Sequence, residues 1–239
     1  MKEQTFLEKL ILVSALLLSS IFAIGCKTGP QEDESEIRTE FCVGKYFVNS
    51  STQSYNMIYC AVNQSTAQGH VRYGATGETV YGSSFMPPVS VSDDGIWVAD
   101  GFVDNTDKGF PEGNYTMSFT VDGERYNKDK YLTWENIPNW LRRPTIYNYN
   151  GTITADIPGV TSTNLTPRFR IKVYINGRTS SQLYGQSKGQ TNSGTISYTM
   201  PHIAAYQSSE GYVPVLVCEL CNENGAIEQI LYYPGEPFK

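Results

Sequence analysis

Six Asp-Gly or Asn-Gly pairs, at 94/95, 100/101, 122/123, 150/151, 176/177 and 224/225, punctuate the chain from Phe41 onward. The tightest hairpin turn needs positive φ at both central residues, which Asn, Asp and Gly tolerate and most side chains do not. Such pairs between short alternating stretches therefore predict antiparallel hairpins. In 115–121, Tyr115, Met117, Phe119 and Val121 fall on one face and Thr116, Ser118 and Thr120 on the other, the pattern of a half-buried strand. Ile153/Ala155/Ile157, Phe169/Ile171/Val173/Ile175 and Ile196/Tyr198/Met200 repeat that alternation. Beyond the N-terminal apolar run no segment sustains a helical period, so the expected class is all-β.

The 239 residues also contain a candidate domain boundary. Arg142-Arg143-Pro144 follows a segment running from Trp134 to Trp140 and precedes a fresh set of strands, which places the boundary near Leu141. Two blocks result, 41–141 and 142–239, each large enough for its own core and each with turn signals about every 8–12 residues. That spacing fits a pair of two-sheet β-sandwiches, with a single large barrel as the alternative.

Pro111-Glu-Gly-Asn-Tyr115-Thr-Met-Ser-Phe-Thr-Val-Asp-Gly123 resembles the late strands of a bacterial immunoglobulin-like domain. The resemblance implies that Tyr115 is a corner tyrosine whose phenol bonds upstream backbone while the strand after it enters the core. Gly211-Tyr212 through Ile227 is similar, with Tyr212, an apolar strand, the Asn224-Gly225 turn and a last strand to Tyr233. Pro214 interrupts that strand, and neither half carries a Cys-Trp-Cys framework. The implied fold is two tandem immunoglobulin-like β-sandwich domains.

Ahead of them, Lys2 and Lys9 precede an apolar run, Leu10 to Ile24, too short to span a bilayer comfortably. It closes on Phe22-Ala23-Ile24-Gly25-Cys26, which resembles the lipobox of a bacterial lipoprotein precursor. The resemblance implies a signal peptide over 1–25, lipid on Cys26 and the lipid bilayer as a partner. By the sorting rule of diderm lipoproteins, Lys27 after Cys26 favours the outer membrane, with the protein facing the periplasm or the surface. Residues 26–40 read as a flexible acidic tether, able to reach about 50 Å when extended. Its Gln31-Glu32-Asp33-Glu34 resembles the acidic surface-export signals that follow the lipidated Cys in some lipoproteins.

Four cysteines remain, Cys42, Cys60, Cys218 and Cys221, an even number in a compartment where disulfides persist. Three connectivities are open. Cys42 and Cys60 are equidistant from Ser51, so a hairpin turning there brings them opposite one another, and this is the favoured bridge. Cys218 and Cys221 point to opposite faces of a continuous strand and can close only if it ends near Leu220.

Charge and motifs narrow the function. The formal net charge is −6, of which Glu32, Asp33, Glu34, Glu36 and Glu40 against Arg38 account for −4, so clustered excess cations for nucleic acid are absent. The two histidines, His70 and His202, lie in no hydrolase or zinc-protease motif. Asp93, Asp94, Asp100, Asp104 and Asp107 crowd one region without calcium-loop spacing, and Cys218-x-x-Cys221 lacks the second ligand pair of a zinc site. No catalytic residue, metal or cofactor is expected. Arg168, Arg170 and Lys172 alternate with core residues, three cations about 7 Å apart on the face away from the core. The row suits either an anionic partner or an edge strand guarded against aggregation. The expected function is that of a non-catalytic envelope lipoprotein acting by binding, as an adhesin-like module or scaffold, with a protein or glycan ligand. A carbohydrate-binding or carbohydrate-active protein is the rival, since 17 Tyr and 3 Trp permit a sugar-stacking platform.

Overall fold

The computed structural model describes residues 37–48, 53–64, 68–74, 76–77, 79–85, 90–92, 95–103, 109–176, 181–200 and 211–238. The signal-peptide and lipidation expectations at 1–26, His202 and the acidic residues 93, 94, 104 and 107 lie outside them.

The chain is all-β. Its strands are β1 (Thr39–Phe47), β2 (Ser54–Val62), β3 (Gln68–Tyr73), β4 (Thr79–Phe85), β5 (Ser90–Ser92), β6 (Gly95–Val103), β7 (Gly113–Val121) and β8 (Glu124–Leu132) in the first half. The second half supplies β9 (Thr145–Tyr149), β10 (Thr152–Ile157), β11 (Thr166–Asn176), β12 (Ser181–Gln186), β13 (Gly194–Thr199), β14 (Tyr212–Cys221) and β15 (Ile227–Pro234).

Several hairpins sit where the Asx-Gly pairs predict them. Asp122 and Gly123 (φ 50° and 88°) turn β7 into β8, and Asn150 and Gly151 (φ 48° and 76°) turn β9 into β10. Asn224-Gly225 lies between β14 and β15, where the Asn222 side-chain oxygen accepts from the amides of Asn224 and Ala226. Asp94 and Gly177 of two further pairs lie outside the described residues, and among the fully described pairs Asp100-Gly101 is the exception. It lies within β6, paired to Tyr59 and Cys60, because both neighbouring stretches are held in the ladder with β2.

An eight-stranded sheet in the order β12-β11-β14-β15-β1-β2-β6-β5 runs through both halves of the chain. Its seam is the parallel pairing of β15 with β1, from Val43 opposite Gln229 to Tyr46 opposite Tyr232. The first half adds a sheet in the order β4-β3-β7-β8 and the second a sheet in the order β13-β10-β9. The boundary near Leu141 does fall between strands β8 and β9, but it does not separate two domains. Residues 37–239 are one compact unit, since each half would otherwise leave the edge of β1 or β15 unpaired. The tether expected over 26–40 is likewise shorter at its C-terminal end: Thr39 and Glu40 already belong to β1, and Asn63 pairs with the Arg38 backbone in both directions.

Alternation along the long sheet gives it two faces. Phe41, Val43, Ile58, Cys60, Phe169, Ile171, Leu216, Cys218 and Leu231 form the outer face and share one core with Val71, Tyr115, Met117, Phe119, Ile153, Ala155, Ile157 and Ile196 of the smaller sheets. Each such fully buried aliphatic or aromatic side chain contributes about 1.5–3 kcal/mol. Tyr115 is 1% exposed and its hydroxyl donates to the Pro111 carbonyl at 2.7 Å, the corner bond that the sequence implies. The Trp134 indole N–H donates to the Met57 carbonyl at 3.2 Å, and Lys45 Nζ donates to the Ile137 carbonyl at 2.9 Å, fastening the 133–141 segment to the sheet.

Candidate functional site

The inner face of the long sheet is also buried, although neither small sheet supplies its partners. Cys42, Met57, Tyr59, Ala61, Val215, Val217, Ile230 and Tyr232 form a second core there. The sheet curls until β12 and β5, the strands at its two ends, approach within 8 Å between Cα atoms. A long twisted sheet curls in this way rather than staying flat, and the curl encloses the inner face.

Into that enclosed face the alternation of β11 sends Arg168, Arg170 and Lys172, and β14 sends Glu219 opposite Arg168. Arg170, Lys172 and Glu219 are 5%, 4% and 4% exposed. The row is therefore not an exposed edge, and this corrects the surface reading of the sequence. Strand β11 is flanked by β12 and β14, and the face away from the first core is a second core. The exposed charges of an edge strand are found on β8 instead, at Glu124, Arg125, Lys128 and Asp129.

Glu219 is the hub. Its Oε2 accepts from Arg168 Nε at 2.6 Å and from Arg170 Nε at 3.1 Å. Burial alone would push this carboxyl up, but Lys172, Arg170 and Arg168 together outweigh it and hold Glu219 below the ordinary carboxylate value. The 187–190 segment closes over the arginines: Ser187 Oγ accepts from the Ile171 amide at 2.9 Å, and Gly189 lies so near that a Cβ there would stand 2.9 Å from the Arg168 side chain.

Lys172 differs from both arginines. No hydrogen bond or ion pair reaches its ammonium from the described residues. Nζ instead lies 5.3 Å from the centre of the Tyr59 ring and 5.8 Å from that of Tyr232, within cation–π range. Burial pushes its pKa down, with Glu219 and Glu40 opposing. The Tyr232 hydroxyl lies 3.2 Å from that of Tyr174. Glu40, on the same face of β1 as Cys42, has its pKa raised to about 7 by burial and then by the nearby Glu219.

The cysteines sit otherwise than expected. Cys42 and Cys60 are free thiols, since Cys42 is opposite Tyr59 and Cys60 is opposite Phe41, placing one in the inner core and the other in the outer core. The hairpin itself forms, but its register is one residue from the symmetric one, and one residue exchanges the faces. Cys218 and Cys221 are also free and belong to opposite cores, as the strand alternation implies. Burial pushes the thiols of Cys42, Cys218 and Cys221 up, which disfavours the thiolate needed by a nucleophile or metal ligand. No group of three or more metal-ligating side chains occurs among the described residues.

The sequence reading missed Glu219, Glu40 and the three tyrosines. A signal for Glu219 is present: it is the one charge in the apolar run from Val213 to Cys221, and a carboxylate there requires a cationic partner. Glu40 is concealed among the tether acids. No protein-family model matches the chain, and no curated protein matches it.

Proposed function

We propose that the chain is a lipid-anchored protein of the bacterial cell envelope, held at the outer membrane through Cys26, that works by binding without catalysis. Its frame is two immunoglobulin-like sandwiches fused through one sheet. The strand order supports this frame. In the first half β1-β2-β6-β5 faces β4-β3-β7-β8, the order A-B-E-D against C′-C-F-G, and in the second half β13-β10-β9 faces β12-β11-β14-β15. The Tyr115 corner bond adds to it.

The observation that carries the binding reading is the enclosed inner face, to which both halves contribute and on which Lys172 has no acceptor among the described residues. A buried charge without a partner costs the folded chain free energy, and a ligand that supplies the partner recovers it. The raised thiols and a His70 imidazole lowered by burial and then by Arg72 and Arg125 favour binding over nucleophilic or acid–base chemistry. Growth with a labelled fatty acid tests the anchor: wild type should be marked and Cys26→Ser should not. Equal labelling of the two contradicts the proposal.

The carbohydrate reading has one observation in its favour. Tyr147 and Tyr149 are 62% and 78% exposed, two rings on one face of β9 beside Thr152, Thr154 and Asp156 of β10. Tyr131, also exposed, belongs to the other small sheet. Retention on a glycan array that disappears in the Tyr147→Ala, Tyr149→Ala double variant would favour that reading.

A further inference from the structure

The solvent face of the β13-β10-β9 sheet has an unusual chemistry. Strand register sets its side chains in three rows of three, all turned away from the core that Ile153, Ala155 and Ile157 enter. One row is Tyr149, Thr152 and Thr199, and the next is Tyr147, Thr154 and Ser197. Thr145, Asp156 and Thr195 complete the face. Eight of the nine side chains carry a hydroxyl, and the ninth, Asp156, is neutralised by Arg142 Nη2 at 2.7 Å. Two cross-strand hydroxyl pairs are ordered by hydrogen bonds of 3.1 Å, Thr152 with Thr199 and Thr154 with Ser197. Each pair uses one proton internally and leaves the other, with spare lone pairs, to face outward. The outward row of β8 on the other small sheet carries Arg125 and Asp129 instead, the mixed charge of an ordinary solvated face.

The rings give this face its relief. Tyr147 and Tyr149 stand about 7 Å apart along the edge strand, beside a floor of short Thr and Ser side chains about 10 Å wide. Both rings are largely exposed, so their apolar area is open to a ligand that can cover it.

We propose that this face binds an uncharged glycan chain laid along β9, its sugar rings against Tyr147 and Tyr149 and its hydroxyls over the Thr and Ser floor. A sugar ring offers C–H faces to an aromatic wall and rim hydroxyls to a hydroxyl floor, which matches both parts. An acidic glycan would need an uncommitted cation, yet Arg142 is held by Asp156 and Arg143 by the Tyr233 hydroxyl. A wholly apolar ligand would strip water from the floor hydroxyls and return no hydrogen bond. The rows span about 14 Å from Thr145 to Tyr149, the reach of an oligosaccharide rather than of a single sugar. This inference rests on the carbohydrate reading above and supplies its ligand class and the residues of the floor.

The test is isothermal titration of cellohexaose, mannohexaose, maltohexaose and the acidic hexagalacturonate into the full-length protein, held in a detergent without a sugar head group. At least one neutral hexaose should bind, and hexagalacturonate should bind roughly tenfold more weakly than it or not at all. Tyr147→Ala and Tyr149→Ala should each lower affinity for the bound hexaose roughly tenfold. Thr154→Val and Ser197→Ala should each lower it about threefold, and Tyr131→Ala should leave it unchanged. Should another variant not fold, Tyr149→Ala decides, since this ring is 78% exposed and supports no core. No binding of any neutral hexaose, hexagalacturonate binding as tightly, or unchanged affinity in Tyr149→Ala would each overturn the assignment. So would a dimer in sedimentation velocity that depends on Tyr147 and Tyr149 while no sugar binds. Array retention confined to acidic glycans would remove this assignment and leave the carbohydrate reading standing, whereas no retention at all would remove both.

Discussion

At the scale of single residues, Glu219 holds the inner face together by pairing with Arg168 and Arg170. Glu219→Gln keeps the shape and removes the charge, leaving the buried Arg170 and the partly buried Arg168 without compensation. It should destabilise the protein by roughly 3–5 kcal/mol, measured as the shift in urea unfolding free energy. Lys172→Met should cost less than about 1 kcal/mol or stabilise, because it replaces an unpartnered charge by apolar volume. Glu40 provides a pH signature. Its carboxyl titrates at about 7 in the fold against an ordinary 4.5, so the folded state holds a proton that the unfolded chain has released. The stability this group contributes is fully present below pH 4.5 and is lost as pH rises through 7. Glu40→Gln should therefore flatten the decline in urea midpoint between pH 5 and pH 8, and at pH 8 should exceed wild type by on the order of 2 kcal/mol. Glu219 acts oppositely, its contribution being lost only as pH falls below the ordinary carboxylate range.

At the scale of elements, the alternation in β7, β10, β11 and β13 is legible because each of these strands lays one side chain in two on the outer core. Which strand pairs with which is not legible, and a single slip changes the chemistry. Cys42 and Cys60 look like a disulfide from their symmetry about Ser51, yet the observed register sends them to different cores. The Arg168, Arg170 and Lys172 row was visible as a row, but its burial depends on the curl of a sheet made from both halves, which no local pattern encodes. Gly44 marks the seam of that sheet. A Cβ there would overlap the Ile230 carbonyl oxygen across the parallel β1–β15 pairing, so the contact is with backbone that cannot yield. Gly44→Val should prevent stable folding of 37–239, seen as loss of the cooperative thermal transition, whereas Tyr115→Phe, which loses only the corner hydrogen bond, should cost about 1 kcal/mol.

At the scale of the whole molecule, the β1–β15 seam unites the halves and creates the site together. Glu40, Cys42 and Tyr59 come from one half and Lys172, Glu219 and Tyr232 from the other. Lys130 of β8 adds an ion pair across the same division, to Glu228 of β15 at 2.8 Å. Strand content and much of the turn chemistry reach the sequence reader; the fusion does not, because a parallel pairing between strands near opposite ends of the chain leaves no nearby trace. The most direct measurement is calorimetric unfolding of 37–239 beside the fragments 37–141 and 142–239. A shared sheet predicts one transition whose calorimetric and van't Hoff enthalpies agree, and fragments that show no cooperative transition of their own. Two transitions in the whole, each reproduced by one isolated half, would contradict it.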